Sequence, residues 1–265
     1  MHNLQNKHYT KFSEVPENER LYTLNLHYIA LQCETDTLDL ANPKYNLKGK
    51  YLKTYNYNTT PLYMKNDKIK HIKNIDFINF QFCDSLESLF ANFTALESIE
   101  GINNINTSNV RNISNMFDGC QSLQSIDLNN WNVSNVEISC EMFNYCESLT
   151  TLDLNNWNVS NVKEMICMFN DCHSIQYIDL SNWNISKVNK MEYMFSNCYS
   201  LQTLFINNFN MSHNVKTYNM FDGCRLLEIL DISNCEYIER LNEEIERNIK
   251  HNVHVIYHPR YSSEN

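Results

Sequence analysis

The chain has 265 residues and a formal net charge of -10, with 21 Lys and Arg against 31 Asp and Glu. That length allows one or two domains, and the acidic balance excludes a molecule drawn as a whole to nucleic acid or to an anionic membrane surface. Only 4 Gly and 4 Pro stand beside abundant Asn, Lys, Tyr and Ile, a bias of AT-rich genomes that carries no mechanism.

The opening stretch MHNLQNKHYTKFSEVPENER has no apolar run of the kind a secretory signal needs. Nowhere do about 18 apolar residues follow one another, as a membrane-spanning helix requires. The expected location is therefore cytoplasmic or intracellular, with a surface or virion location as the alternative. After Pro16, residues 17–32 place Leu21, Leu24, Tyr28 and Leu31 on one face and predict a helix. A shorter helix is expected over 36–41, stopped by Pro43. Residues 44–73 then carry eight Lys against the single acid Asp67, with Tyr45, Tyr51, Tyr55, Tyr57 and Tyr63 between them. Basic residues interleaved with aromatics have the look of a single-strand nucleic-acid contact. The expected reading is instead a solvated, β-rich segment whose lysines balance acids elsewhere.

Ile69, Ile72, Ile75 and Phe77 predict the first strand of a repeating array, and residues 89–110 are a worn copy of its unit. From Met116 the unit becomes regular, starting again at Met142, Met168, Met194 and Met220, 26 residues apart each time. Phe117, Phe143, Phe169, Phe195 and Phe221 fall in one register, and Cys120, Cys146, Cys172, Cys198 and Cys224 in another. An LxxLxL run begins at Leu123 and recurs in every unit, with the alternation of a strand. Trp131, Trp157, Trp183 and Phe209 follow, each trailed by an Asn: Asn132, Asn158, Asn184 and Asn210. These asparagines are expected to hold turns through their side chains. Val162, Met165, Ile166 and Phe169 stand at i, i+3, i+4 and i+7, which predicts a short helix closing each unit. One such unit cannot order itself. Fixing a residue costs roughly 1–2 kcal/mol and each buried Leu or Phe returns only about 1.5–3 kcal/mol, so units must stack.

The strings MFDGCQSLQSIDLNNWNVSNV, MFNYCESLTTLDLNNWNVSNV and MFNDCHSIQYIDLSNWNISKV resemble the MFxxCxSLxxLDLSNWxxSNV repeat of the BspA-like leucine-rich repeat surface proteins, over about residues 89–235. The resemblance implies a leucine-rich-repeat solenoid, an α/β repeat with a parallel strand layer and short helices. It also implies a binding or adhesion role without enzymatic activity. Three regions are expected: an N-terminal helical and basic cap over 1–68, the solenoid over 69–235, and a C-terminal helix, strand and tail over 236–265. Ile238, Leu241, Ile245 and Ile249 stand at helical spacing in that last region, and VHVIYH from Val253 has strand character.

Ten cysteines would suggest disulfides in a secreted chain. Five of them share one register beside Phe and Leu, so small buried hydrophobes are expected. No spacing fits a zinc motif. Acids repeated in every unit have equivalent surroundings, which leaves no cause for the separated pKa values that catalysis needs. No enzyme activity, metal or cofactor is expected.

Outward positions of the strands form columns, since side chains alternate. One column is Asp127, Asp153, Asp179, Phe205 and Asp231; its neighbour is Ser125, Thr151, Tyr177, Thr203 and Ile229. Structural hydrogen bonding is the expected role of the aspartates, with an acidic docking stripe as the alternative. Phe205 breaks the aspartate column where Tyr177 and Ile229 flank it, which is the composition of a binding hot spot in a polar sheet. The candidate partner-binding residues are therefore Tyr177, Phe205, Ile229, Asp127, Asp153 and Asp179. The function so read is a non-catalytic protein–protein interaction scaffold for an unidentified protein. A surface or virion adhesin and a nucleic-acid-associated factor acting through residues 44–73 are the alternatives.

Overall fold

A computed structural model describes residues 11–24, 26–48, 50–55, 65–235, 239–249 and 253–257. It is a parallel-strand solenoid in which one turn hydrogen-bonds to the next along two ladders. The first ladder holds the expected strand layer. Here β2 (Thr37–Asp39), β4 (His71–Lys73) and β5 (Ser98–Ile99) pair in parallel. Ser125 bridges Thr151. Then β6 (Tyr177–Asp179), β7 (Thr203–Phe205), β8 (Ile229–Asp231) and β9 (His254–Ile256) continue as a four-stranded parallel sheet. Its register from Tyr177 to Thr203 to Ile229 is the repeat period carried into three dimensions, and the step on to His254 is one residue shorter.

The second ladder replaces the short helices expected between Val162 and Phe169 and at the equivalent places. Parallel bridges run from Ser85 through Asn112, Ile138, Glu164 and Lys190 to Lys216. Every second backbone N–H of this stretch leaves its own turn: Met165 donates to Lys190, Cys167 to Glu192, Phe169 to Met194 and Asp171 to Ser196. A helix would send those N–H groups four residues back. Left-handed residues prevent it, since Glu141, Tyr145, Cys167, Asp171, Tyr193 and Asn197 all have φ between 54° and 58°. Two such residues per turn fold the chain back toward the core at nearly the spacing a helix would. Val162, Met165 and Phe169 are therefore buried as a helix would bury them, on a backbone that is not helical.

Between the ladders the side chains stack in columns. Phe90, Phe117, Phe143, Phe169, Phe195 and Phe221 lie ring on ring, centroids 5.4–6.2 Å apart and planes within 9°. The Cys146 thiol donates to the Phe117 carbonyl and that of Cys172 to Phe143, both at 3.2 Å. The indoles of Trp131, Trp157 and Trp183 donate to Ile102, Leu128 and Leu154 of the preceding turn. All ten cysteines are free thiols, eight of them buried as expected and Cys140 and Cys167 half-buried. Burial pushes the Cys140 thiol up to about 11 and that of Cys167 to about 12.

A polar column runs beside the phenylalanines. Asn170 donates to Asn144, and Asn144 donates to Asp118 at 3.0 Å. Burial, reinforced by Glu141, lifts the Asp118 carboxyl from its ordinary 3.8 to about 6, against the opposing hydrogen bonds from Asn144 and Asn115. A carboxyl raised by folding prefers its proton in the native state. The stabilisation it lends is full below about 3.8 and is lost as pH rises through about 6. Asp118→Asn keeps an oxygen for Asn144 and removes the buried charge. The variant is expected to exceed the wild type by about 1–2 kcal/mol near neutral pH, discounted for partial solvent access, and by much less near pH ~4. Urea midpoints at the two pH values measure it, and a gap that does not widen with pH refutes it.

The N-terminal expectations are corrected. Where one helix was predicted over 17–32, the chain forms β1 (Arg20–Leu24) and the short α1 (Leu26–Leu31). The helix expected over 36–41 is β2, with Leu38 and Leu40 fully buried. β2 pairs in parallel with β4, so the strand around Ile72 is not the first of the array, and β1 pairs with β3 (Tyr51–Tyr55) in a separate two-stranded parallel sheet. Toward the other end α2 (Glu239–Asn248) buries Leu241, and β9 extends the sheet. The tail beyond 257 lies outside the described residues.

Candidate functional site

The strand ladder brings the candidate residues onto one surface. In the sheet, β6 to β9 present two outward columns: Tyr177, Thr203, Ile229 and His254 in one, Asp179, Phe205, Asp231 and Ile256 in the other. The apolar members alternate between columns, so Tyr177, Phe205, Ile229 and Ile256 form a zigzag that steps across four neighbouring strands. Tyr177 is 51% exposed, and its ring meets that of Phe205 edge to face at 5.8 Å. The Tyr177 hydroxyl donates to Asp179 at 3.4 Å. Burial and that carboxylate together hold the phenol above its usual range, so it remains a neutral donor.

The aspartates serve the turn that ends each strand. Asp127, Asp153, Asp179 and Asp231 each accept, through Oδ1, the backbone N–H two residues on, at 2.9–3.1 Å. Asp127 and Asp153 lie on the same face but nearer the N-terminus than the apolar zigzag, and Asp127 also accepts from Asn103 at 2.8 Å. Asn132, Asn158 and Asn184, three of the four asparagines expected to do so, make the same kind of turn on the far side of the tryptophans; among the described residues Asn210 does not. Structural hydrogen bonding is thus the role these side chains fill. Their second oxygens are another matter: Oδ2 of Asp153 and Asp231 makes no hydrogen bond among the described residues.

Charge is segregated around the molecule. Residues 124–130, 150–156, 176–182, 202–208 and 228–234, which carry the strand face through five turns, contain Asp127, Asp153, Asp179, Glu228 and Asp231 and no Lys or Arg. Cations of these turns lie elsewhere: Arg111 and Lys163 at the second ladder both pair with Glu137 and Lys190 pairs with Glu164, Lys187 donates to Asn161, and Arg225 lies over the Tyr199 ring. In the basic segment, lysines are used within the chain. Lys44, Lys50 and Lys68 donate to backbone carbonyls of Gln32, Asn18 and Cys33, Lys70 pairs with Glu97, and Lys48 lies over the Phe77 ring. Tyr57 and Tyr63 lie outside the described residues.

Ile256 and His254 were absent from the sequence reading of the site. The strand around them was foreseen, but its place in the ladder comes 25 residues after β8 rather than 26, and no repeat motif marks it. Among the described residues no group of three or more His, Cys, Asp or Glu is placed to hold a metal ion, and no helix is long and apolar enough to cross a membrane.

No curated protein matches the chain. Among solved structures, the crystal structure of a TLR13–ssRNA13 complex aligns with 83% of this chain and 43% of that chain, at 13% identity and a TM-score of 0.27. This chain thus spans less than half the length of that one. A family model described as "Mycoplasma protein of unknown function, DUF285" matches residues 58–178 and 140–234, overlapping spans that together take in two thirds of the chain. On that match, and with the period of its ladders running through the same residues, the chain belongs to the DUF285 family of Mycoplasma proteins of unknown function.

Proposed function

We propose that the protein is a non-catalytic protein–protein interaction scaffold whose strand face binds a partner, with Phe205 as the central anchor. One observation carries the reading: the one regular turn that replaces the aspartate of its column with an aromatic does so beside Tyr177 and Ile229, and the two rings pack edge to face on the outer surface. The aspartate is what the turn itself asks for. An aspartate in place of Phe205 would accept the N–H of Asn207 as its equivalents do in their own turns, so the phenylalanine gives up a structural hydrogen bond for a half-buried ring on the outer face. Nucleic-acid binding through residues 44–73 is the weaker reading, because five of its lysines are already committed to partners in the chain.

Phe205→Asp restores the repeat and is expected to leave the fold intact. Truncating a buried aromatic anchor costs about 2 kcal/mol or more of binding, roughly a thirtyfold loss of affinity. A cross-linked pull-down from host lysate, wild type and variant side by side after circular dichroism confirms equal folding, is expected to lose the partner from the variant. An unchanged partner list removes the strand face from consideration and turns attention to the second ladder.

A further inference from the structure

We infer that the occupant of the strand face is a short extended polypeptide segment that alternates apolar side chains with Lys or Arg. The inference rests on the strand-face reading and adds the chemistry of the partner. Two features of the surface specify it. The apolar zigzag of Tyr177, Phe205, Ile229 and Ile256 steps across four parallel strands. Strands lie about 4.8 Å apart, so the stripe is about 14 Å long, the reach of four or five residues of extended chain. Such a segment, laid along the solenoid axis, places side chains on the stripe and directs those between them to its flanks.

The flanks carry acids and no Lys or Arg across five turns. Asp179 and Asp231 occupy two of the gaps in the zigzag, with Thr203 and His254 in the other two, and Glu228 stands exposed at the start of β8. A neutral or anionic segment meets only like charge or none. A cationic one finds Asp231 with an oxygen that no hydrogen bond occupies among the described residues, because the turn uses only Oδ1. Charge complementarity of this kind sets partner choice and association rate more than affinity, so its signature is salt dependence.

The test uses the full chain and three fluorescein-labelled peptides of seven residues: Lys-Phe-Lys-Leu-Lys-Phe-Lys, the same with Glu for Lys, and the same with Ser for Lys. Fluorescence anisotropy is read at low and moderate salt. Two variants accompany the wild type. Asp179→Asn with Asp231→Asn removes both charges and keeps the Oδ1 that holds each turn, and Phe205→Asn removes the ring without adding charge. The lysine peptide is expected to bind, about tenfold more weakly in the paired Asn variant and at higher salt, and at least as much more weakly in Phe205→Asn. If the serine peptide binds equally well and only Phe205→Asn weakens it, the strand face stands and the cationic partner is overturned. Binding of the lysine peptide that neither variant weakens overturns both. Absence of binding by any peptide overturns the cationic segment, while the pull-down with Phe205→Asp decides the strand face independently.

Discussion

Replacing Phe143 with alanine is expected to cost about 3–5 kcal/mol of stability, the range for deleting a fully buried phenyl ring. The ring is 0% exposed and is sandwiched between Phe117 at 5.5 Å and Phe169 at 5.8 Å. Removing it opens a void against two rings at once and forfeits two aromatic contacts, each worth about 0.5–1.5 kcal/mol beyond the area buried. The backbone has little room to close that void, because the Phe143 N–H is tied to Met168 and its carbonyl accepts the Cys172 thiol. In a chain of this size the loss corresponds to a fall of roughly 10 °C in the melting midpoint. Phe221→Ala provides the comparison. Phe221 stacks on Phe195 at 6.2 Å, the longest step of the column, and its loss is expected to cost about 1 kcal/mol less. Calorimetry of the two variants checks both statements. A Phe143→Ala midpoint within a degree or two of the wild type refutes the expected loss.

The second large effect is expected at Glu244, a carboxylate only 3% exposed on α2. It accepts the Met220 backbone N–H at 3.3 Å, the Asn248 amide at 2.7 Å and the Arg247 guanidinium at 2.6 Å. Arg247 in turn lies over the Tyr218 ring at 5.9 Å. One side chain thus joins the helix to the last regular turn where the second ladder ends. Glu244→Ala leaves the Arg247 cation and the Asn248 amide without this acceptor and the Met220 N–H with the Thr217 carbonyl alone, for an expected loss of about 2–4 kcal/mol. Glu244→Gln retains one carbonyl oxygen and is expected to lose about half as much. Hydrogen exchange locates the damage: faster exchange is expected for the amides around 215–223 and for α2, with those near Phe143 unchanged. If both variants are as stable as the wild type, the helix is a passive neighbour of the array.

The sequence made the columns legible and the backbone illegible. Phe117, Cys120, Leu123 and Trp131 recur at a fixed period, and a residue that recurs in a stack meets its own copy, so their burial followed from counting. Spacing at i, i+3, i+4 and i+7 reports only that side chains return to one side. The coil punctuated by left-handed Glu141 and Tyr145 returns them as a helix does, and neither residue type announces a positive φ. Left-handed Gly119 and Gly223 at the place of Tyr145 carry that signal, weakly. At the N-terminus the period itself is lost: 34 residues separate β2 from β4 in register, so two strands read as helices. The candidate face was legible because alternation in LxxLxL assigns Asp179 and Phe205 to the outside whatever the rest of the turn does. Ile256 was not, since only the pairing of β9 with β8 puts it in the column of Phe205.

The hydrogen bonds between turns have a mechanical meaning. They run along the solenoid axis, so tension applied at the two ends loads one turn against the next, a row at a time, rather than shearing many bonds together. Each regular turn between Asn112 and Lys216 that peels away frees 26 residues, about 90 Å of extended chain, while giving up only the 5 Å or so that it occupied in the stack. The regular turns are therefore built to lengthen under load in equal steps, while the turns still in the stack keep their neighbours.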